Sequence, residues 1–268
     1  MSVRLHLDTW PVADLGLRVD AADAVVCTAS LRCDAAELEQ SVAMLSATER
    51  ARHASYSNAV VARRFARGRA LVRVMLGRAL SLVPALVPLR EGLHGKPYLA
   101  AGAPRSLWFS VSHTDELLVV AMSRVADVGV DVERSRDFDQ WQRVADRVLD
   151  LRERQQLALA VEQGHDPSEA FLRHWCRVEA ELKAVGCGIQ GLETHLAGQR
   201  PRGLRLADLT DLPLPAELSA AGVRYQAAVA LVTPGAGYPS PTDNRRQMIR
   251  ESAQAAAPVT TPARPSTA

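Results

Sequence analysis

The chain has 268 residues, enough to bury a substantial core in one large domain or two modest ones. Hydrophobic residues make up 47% and charged residues 23%, and 32 basic against 30 acidic side chains leave a net charge of +2, so global charge selects no class of partner. The four cysteines lack CxxC pairing and zinc-ligand spacing, no basic and apolar leader opens the sequence, and no apolar run could span a bilayer; the expectation is a soluble, cytoplasmic protein with reduced thiols and no membrane partner.

Taken in chain order, short apolar runs alternate with longer amphipathic stretches. Ala24 to Ala29 reads as an early strand. Ala35 to Ser46 and then Thr48 to Leu80 carry helical periodicity, with an interruption near Ser57 and Asn58 and a stop before Pro84. Leu107 to Val111 and Leu117 to Ser123 are strand-like, separated by turn residues, and Val128 to Val132 is another β-branched run. Helices are expected over residues 140–163 and 167–185, and Tyr225 to Val232 gives a last strand. From Pro234 the chain is rich in Pro, Ala, Thr and Ser, too poor in apolar residues to offset its ordering entropy. The reading is therefore an α/β (α+β) protein with subdomains over 1–125 and 126–233 and a disordered tail over 234–268.

Between Arg50 and Arg78 stand eight arginines and no acidic residue. Such a stretch fits a solvated helix face, a site for a phosphorylated ligand, or a nucleic-acid footprint. The balanced total charge and the lack of stacking aromatics argue against nucleic acid, and most of these arginines read as a solvated face.

Two segments concentrate carboxylates. In Gly129-Val130-Asp131-Val132-Glu133, strand alternation sends Asp131 and Glu133 to one face and Val130 and Val132 to the other. In the segment from Trp175 to Gly188, the stripe Trp175, Val178, Leu182 and Val185 marks a helix packed on a core, with Glu179 and Lys183 one turn apart. Alone, the first reads as the acidic face of an edge strand and the second as a surface ion pair. Together, three carboxylates and a lysine suit a hard divalent cation beside a phosphate. No P-loop, HExxH or nucleophile elbow is present, which leaves NTPase, zinc-protease and hydrolase readings without support.

These two segments, preceded by Gly95-Lys96-Pro97 and by Phe109-Ser110-Val111-Ser112-His113, resemble in order and spacing the motifs of the Sfp-type 4′-phosphopantetheinyl transferases, in the subgroup with a Trp and a Lys-Glu-Ala-like helix. The resemblance runs from about Ser46 to Gly188, and Tyr225 to Val232 is similar to the family's closing strand. It implies two similar, pseudo-twofold-related subdomains with an active-site cleft between them. It also implies transfer of phosphopantetheine from coenzyme A to a serine of an acyl or peptidyl carrier protein, by a monomer, in primary or secondary metabolism.

On this resemblance Asp131, Glu133 and Glu179 would hold Mg²⁺ or Mn²⁺, Lys183 would contact a phosphate, and Glu179 would take or direct the serine proton. Arg52, Arg64, Lys96, Ser112 and His113 would contact coenzyme A, His113 at its 3′-phosphate. Val178 departs from a position often cationic or polar in the family; Arg177 points about 100° away on the helix and cannot simply replace a cation there, which leaves Arg173 as the candidate substitute. That departure favours the rival reading, a non-catalytic module of the same fold that binds coenzyme A or carrier protein.

Overall fold

The structure is a computed structural model that describes residues 3–92, 95–100, 107–201 and 203–233; the expected disordered tail lies outside the described residues. The chain begins with strand β1 (Leu5–Thr9), helix α1 (Leu15–Ala21) and strand β2 (Ala24–Ser30), followed by helices α2 (Ala35–Ala43), α3 (Ala47–Ser55) and α4 (Ala59–Leu80). Capping explains where these helices divide. Asp34 with Glu37, and Ser46 with Glu49, form reciprocal capping boxes, and Asn58 accepts hydrogen bonds from the amides of Val60 and Val61. Ser46 therefore caps the next helix instead of ending the previous one, as the sequence pattern had implied.

A short hairpin of β3 (Leu89–Glu91) and β4 (Pro97–Leu99) leads to strands β5 (Trp108–Thr114), β6 (Leu117–Ser123) and β7 (Asp127–Arg134). Helices α5 (Trp141–Val148), α6 (Leu151–Glu162), α7 (Pro167–Val185) and α8 (Leu192–Leu196) follow, then β8 (Arg205–Asp208), α9 (Ala216–Ser219) and β9 (Tyr225–Val232). The stretch 140–163, read from sequence as one helix, is two, because Asp150 leaves helical geometry to form a capping box with Glu153. The chain contains that Asp-x-x-Glu signal, which periodicity alone overlooks.

Among the described residues, β1, β2, β6 and β5 form one sheet in that order, and β7, β9 and β8 form a second. β1 runs parallel to β2, and the other pairs of both sheets are antiparallel. The chain crosses from one sheet to the other between Ser123 and Asp127.

The side-chain period of two divides the core. Val25, Cys27 and Ala29 of β2, with Leu118, Val120 and Met122 of β6, pack against Leu71, Val72, Met75 and Leu76 of α4. Ala24 and Val26, with Leu117, Val119 and Ala121, turn the other way and meet Val128, Val130 and Val132 of β7 and Val229 and Leu231 of β9. Both faces of β2 and β6 are thus covered, and these strands read as continuous apolar runs for that reason. On the far side, α7 packs Cys176, Ala180 and Ala184 against Ala228 and Ala230 of β9. The layers are α4, first sheet, second sheet and α7.

Candidate active site

Strand β7 is an edge of its sheet, with β9 on one side and the first sheet's β5 on the other. An edge strand leaves backbone groups without ladder partners. Here side chains of the first sheet's half of the chain supply them: Ser110 Oγ accepts from the Val130 amide at 3.1 Å, and Lys96 Nζ donates to the Val128 carbonyl at 3.4 Å.

The even residues of β7 enter the core, so Gly129, Asp131 and Glu133 face the opposite way, toward α7. Gly129 allows the helix to come close, because a Cβ there would lie 1.9 Å from the Ala180 carbonyl oxygen. The acidic face is therefore covered by a helix, where the strand pattern alone suggested a solvated one.

The helix brings Lys183 onto the strand. Its Nζ is 2.6 Å from Asp131 Oδ1 and 3.1 Å from Ser112 Oγ, and Ser112 donates to the same Asp131 oxygen at 2.7 Å. Glu179, one turn earlier, has Oε2 3.9 Å from the Lys183 ammonium. These residues line one open cleft of about 370 Å³ together with Val111, His113, Val132, Glu133 and Trp175. Of the residues singled out from sequence, Asp131, Glu133, Glu179, Lys183, Ser112 and His113 thus meet in one place. Trp175 was read as a core residue and proves to wall the cleft as well; its position at the head of the second acidic segment was the available signal.

Burial raises the pKa of Glu179, helped by the Asp131 charge and opposed by Lys183. Burial and then the Asp131 charge raise Glu133, while Arg136 at 4.0 Å and Lys183 offset part of it. The His113 ring keeps an exposed edge, yet partial burial and then the Lys183 and Arg64 cations lower its pKa.

Asp131 is only 5% exposed, and its Oδ2 is buried without a hydrogen-bond partner. An unpaired carboxylate oxygen in the interior is costly, and a cation is the natural occupant beside it. The donor set is all oxygen, which fits Mg²⁺ or Mn²⁺ rather than a soft metal. In this conformation Lys183 supplies the positive charge on the other Asp131 oxygen. Among the described residues, no three or more His, Cys, Asp or Glu side chains are close enough together in this conformation to hold a metal ion.

Other residues singled out from sequence lie elsewhere. Arg52 donates to both carboxylate oxygens of Glu91 and to Tyr56. Arg64 pairs with Glu116, close enough to His113 to lower its pKa, but does not line the cleft. The half-buried Lys96 side chain donates its ammonium to the Lys183 carbonyl as well as to that of Val128, outside the cleft. Val178 is fully buried among α5 and α6 side chains and points away from the cleft, so its apolar character serves packing. Arg177 pairs with Asp208 at 2.5 Å and Arg173 reaches Gln226, so neither stands in for a cation at the cleft.

The arginine-rich stretch is matched by acids from other elements. Arg63 and Arg64 pair with Glu116, Arg67 with Glu37, Arg73 with Glu49, and Arg52 and Arg69 with Glu91. Those partners lie outside the stretch in sequence.

Two family models match successive stretches of the chain. One described as the 4′-phosphopantetheinyl transferase superfamily matches residues 127–220, and one described as 4′-phosphopantetheinyl transferase, N-terminal, matches residues 32–125. Among curated relatives, the 4′-phosphopantetheinyl transferase AcpT of Salmonella typhimurium is 39% identical over 42% of this chain and 56% of its own length. A putative 4′-phosphopantetheinyl transferase of Synechocystis sp. is 32% identical over 56% of this chain and 60% of its own length. The 4′-phosphopantetheinyl transferase HetI of Nostoc sp. is 34% identical over 59% of this chain and 66% of its own length. The matches thus span less than two thirds of these relatives. With both halves of the fold matched, and the cleft built where the two halves meet, the chain belongs to the 4′-phosphopantetheinyl transferase superfamily.

Proposed function

We propose that this protein is an Sfp-type enzyme that moves the 4′-phosphopantetheine arm of coenzyme A onto a serine of an acyl or peptidyl carrier protein. The observation that carries this reading is the convergence of Asp131, Glu133, Glu179 and Lys183 in one cleft between β5, β7 and α7. The names of the curated relatives support it. In the proposed reaction the serine oxygen bonds to the β-phosphorus of coenzyme A. The bond from that phosphorus to the bridging oxygen breaks, 3′,5′-ADP leaves, and the hydroxyl proton passes to a base.

Glu179 is the proposed base, since burial raises its basicity and a base works best near the operating pH. Lys183 is the proposed fixed cation for a phosphate oxygen, and Ser112 holds both it and Asp131 in place. Asp131, Glu133 and Glu179 would hold Mg²⁺, which when bound would polarise the pyrophosphate and absorb developing charge. Below neutral-range pH a lowered pKa keeps His113 uncharged for longer, so it would meet the 3′-phosphate chiefly as a neutral hydrogen-bond donor, with Arg64 supplying charge nearby. The halves 1–125 and 126–233 are proposed as the two subdomains flanking the cleft, complete in a monomer.

Incubation with coenzyme A, Mg²⁺ and a panel of apo carrier proteins tests the reading, with the carriers weighed by mass spectrometry. Addition of one phosphopantetheine arm is expected on at least one carrier. A panel that stays unmodified would return the protein to the binding-module reading, although the burial of Val178 removes the feature that favoured it.

A further inference from the structure

Lys96 lies in β4's approach, in the half of the chain that forms the first sheet, yet its ammonium is spent on the second. It donates to the carbonyl of Lys183 near the end of α7 and, at 3.4 Å, to the carbonyl of Val128 on β7. Both acceptors need a partner from outside. The Lys183 carbonyl is among the last four of α7, which have no intrahelical donor; the helix ends two residues later at Val185 and is capped by Gly186 in left-handed geometry with φ 81°. The Val128 carbonyl belongs to an edge strand whose neighbouring Val130 amide is met by another side chain, Ser110.

We infer that Lys96 is a positioning residue, a clamp that ties the last turn of α7 to β7 and so sets the Lys183 side chain on Asp131 and Ser112. The residue whose carbonyl it grips is the one whose ammonium lies 2.6 Å from Asp131. A shift of that turn would therefore move the catalytic cation directly. The cation also sits at the helix end where the backbone dipole is negative, which stabilises positive charge there.

Burial is expensive for an ammonium and lowers its pKa to about 8, with Asp127 opposing the shift and Lys183 adding to it. Lys96 does not line the cleft, which distinguishes this assignment from the direct cofactor contact expected from its motif.

This inference rests on the transferase reading for its kinetic consequence but not for its structural one. The test compares wild type, Lys96→Met and Lys96→Gln. Amide hydrogen exchange across residues 180–186 is expected to quicken by about tenfold or more in Lys96→Met, and to be partly restored in Lys96→Gln, which keeps a donor. In carrier-loading assays kcat is expected to fall by about tenfold or more with the KM for coenzyme A within about twofold of wild type. A rise in that KM with kcat unchanged would overturn the clamp in favour of direct contact. Unchanged exchange in a folded Lys96→Met protein would overturn it regardless of any activity. Should Lys96→Met fail to fold, Lys96→Gln carries both measurements, and exchange and kcat equal to wild type with that KM raised would reject the proposal. If wild type loads no carrier, the transferase reading fails while the exchange arm still decides the clamp.

Discussion

A side-chain carbon on Gly129 would lie 1.9 Å from the Ala180 carbonyl oxygen and 2.4 Å from the Ala184 nitrogen, so the helix rests directly on the strand backbone. This approach sets the distance between the two acidic segments. Both atoms belong to backbone, which cannot rotate aside as a side chain could. Gly129→Ala should therefore lift α7 from β7, costing about 3 kcal/mol or more, at the upper end of overpacking penalties. Urea denaturation gives the stability. Carrier loading should fall further than the residual folded fraction explains. A variant with wild-type stability would show that the interface yields where it is drawn tightest.

The buried carboxylate offers a second prediction. Asp131→Asn keeps the shape that Ser112 and Lys183 contact but removes the charge beside the unpaired Oδ2. Glu179→Gln removes the proposed base from a helix whose core face is unaffected. Each should lower kcat/KM for carrier loading by about a hundredfold or more with the circular dichroism spectrum retained. Chelation of divalent ions should abolish loading in wild type, and added Mg²⁺ or Mn²⁺ should restore it. Asp131→Asn with turnover near wild type would remove that residue from the metal site.

Periodicity was enough to find α4, α7 and β7, because each buries a face whose spacing is written in apolar residues, while β2, β6 and β9 showed as continuous apolar runs because both of their faces are covered. The strands β3, β4 and β8 were not legible: three or four residues long and only partly buried, they carry no alternation to read. The candidate site was legible from its motifs, since Asp131, Glu133, Glu179 and Lys183 do share a cleft. What remained hidden was pairing between distant segments. Arg52 reaches Glu91 and Lys96 reaches the Lys183 carbonyl, and neither contact leaves a trace in local pattern.

The arginine-rich helix makes the same point as a third prediction. Arg73 is 3% exposed and donates to Glu49 at 2.7 Å and to the Val87 carbonyl at 2.9 Å. Arg73→Met should cost about 3–5 kcal/mol, because it strands the Glu49 charge at the foot of α4, and urea denaturation measures this. Wild type should also pass through duplex and single-stranded nucleic-acid columns at physiological salt, since most of these guanidinium groups already hold carboxylates. Specific retention there would restore the nucleic-acid reading.

A last prediction concerns the other face of α7. His195 has Nε2 2.8 Å from Glu153 Oε2 and Nδ1 3.4 Å from Glu181 Oε1, so both contacts are hydrogen bonds only when the ring carries two protons. Burial opposes that charge, but the hydrogen bonds to Glu153 and Glu181 outweigh it and hold the pKa at about 9, against an ordinary value of 6.5. A pKa raised on folding contributes stability that is full below the unfolded value and lost as pH rises through the folded one. The contribution is on the order of 3 kcal/mol and should disappear between about pH 6.5 and 9. Glu153 and Asp150 work in the opposite window. Burial opposes their ionisation, yet hydrogen bonds, including those from His195 and Arg200, lower both pKa values, so their contribution is lost as pH falls toward the acid range. Urea midpoints should accordingly peak in mildly acidic solution and decline from pH 7 to 9.5 in wild type, while His195→Gln should be less stable at pH 6 and show a much flatter alkaline decline. If His195→Gln keeps the wild-type slope, the alkaline loss originates elsewhere and the buried imidazolium is not its source.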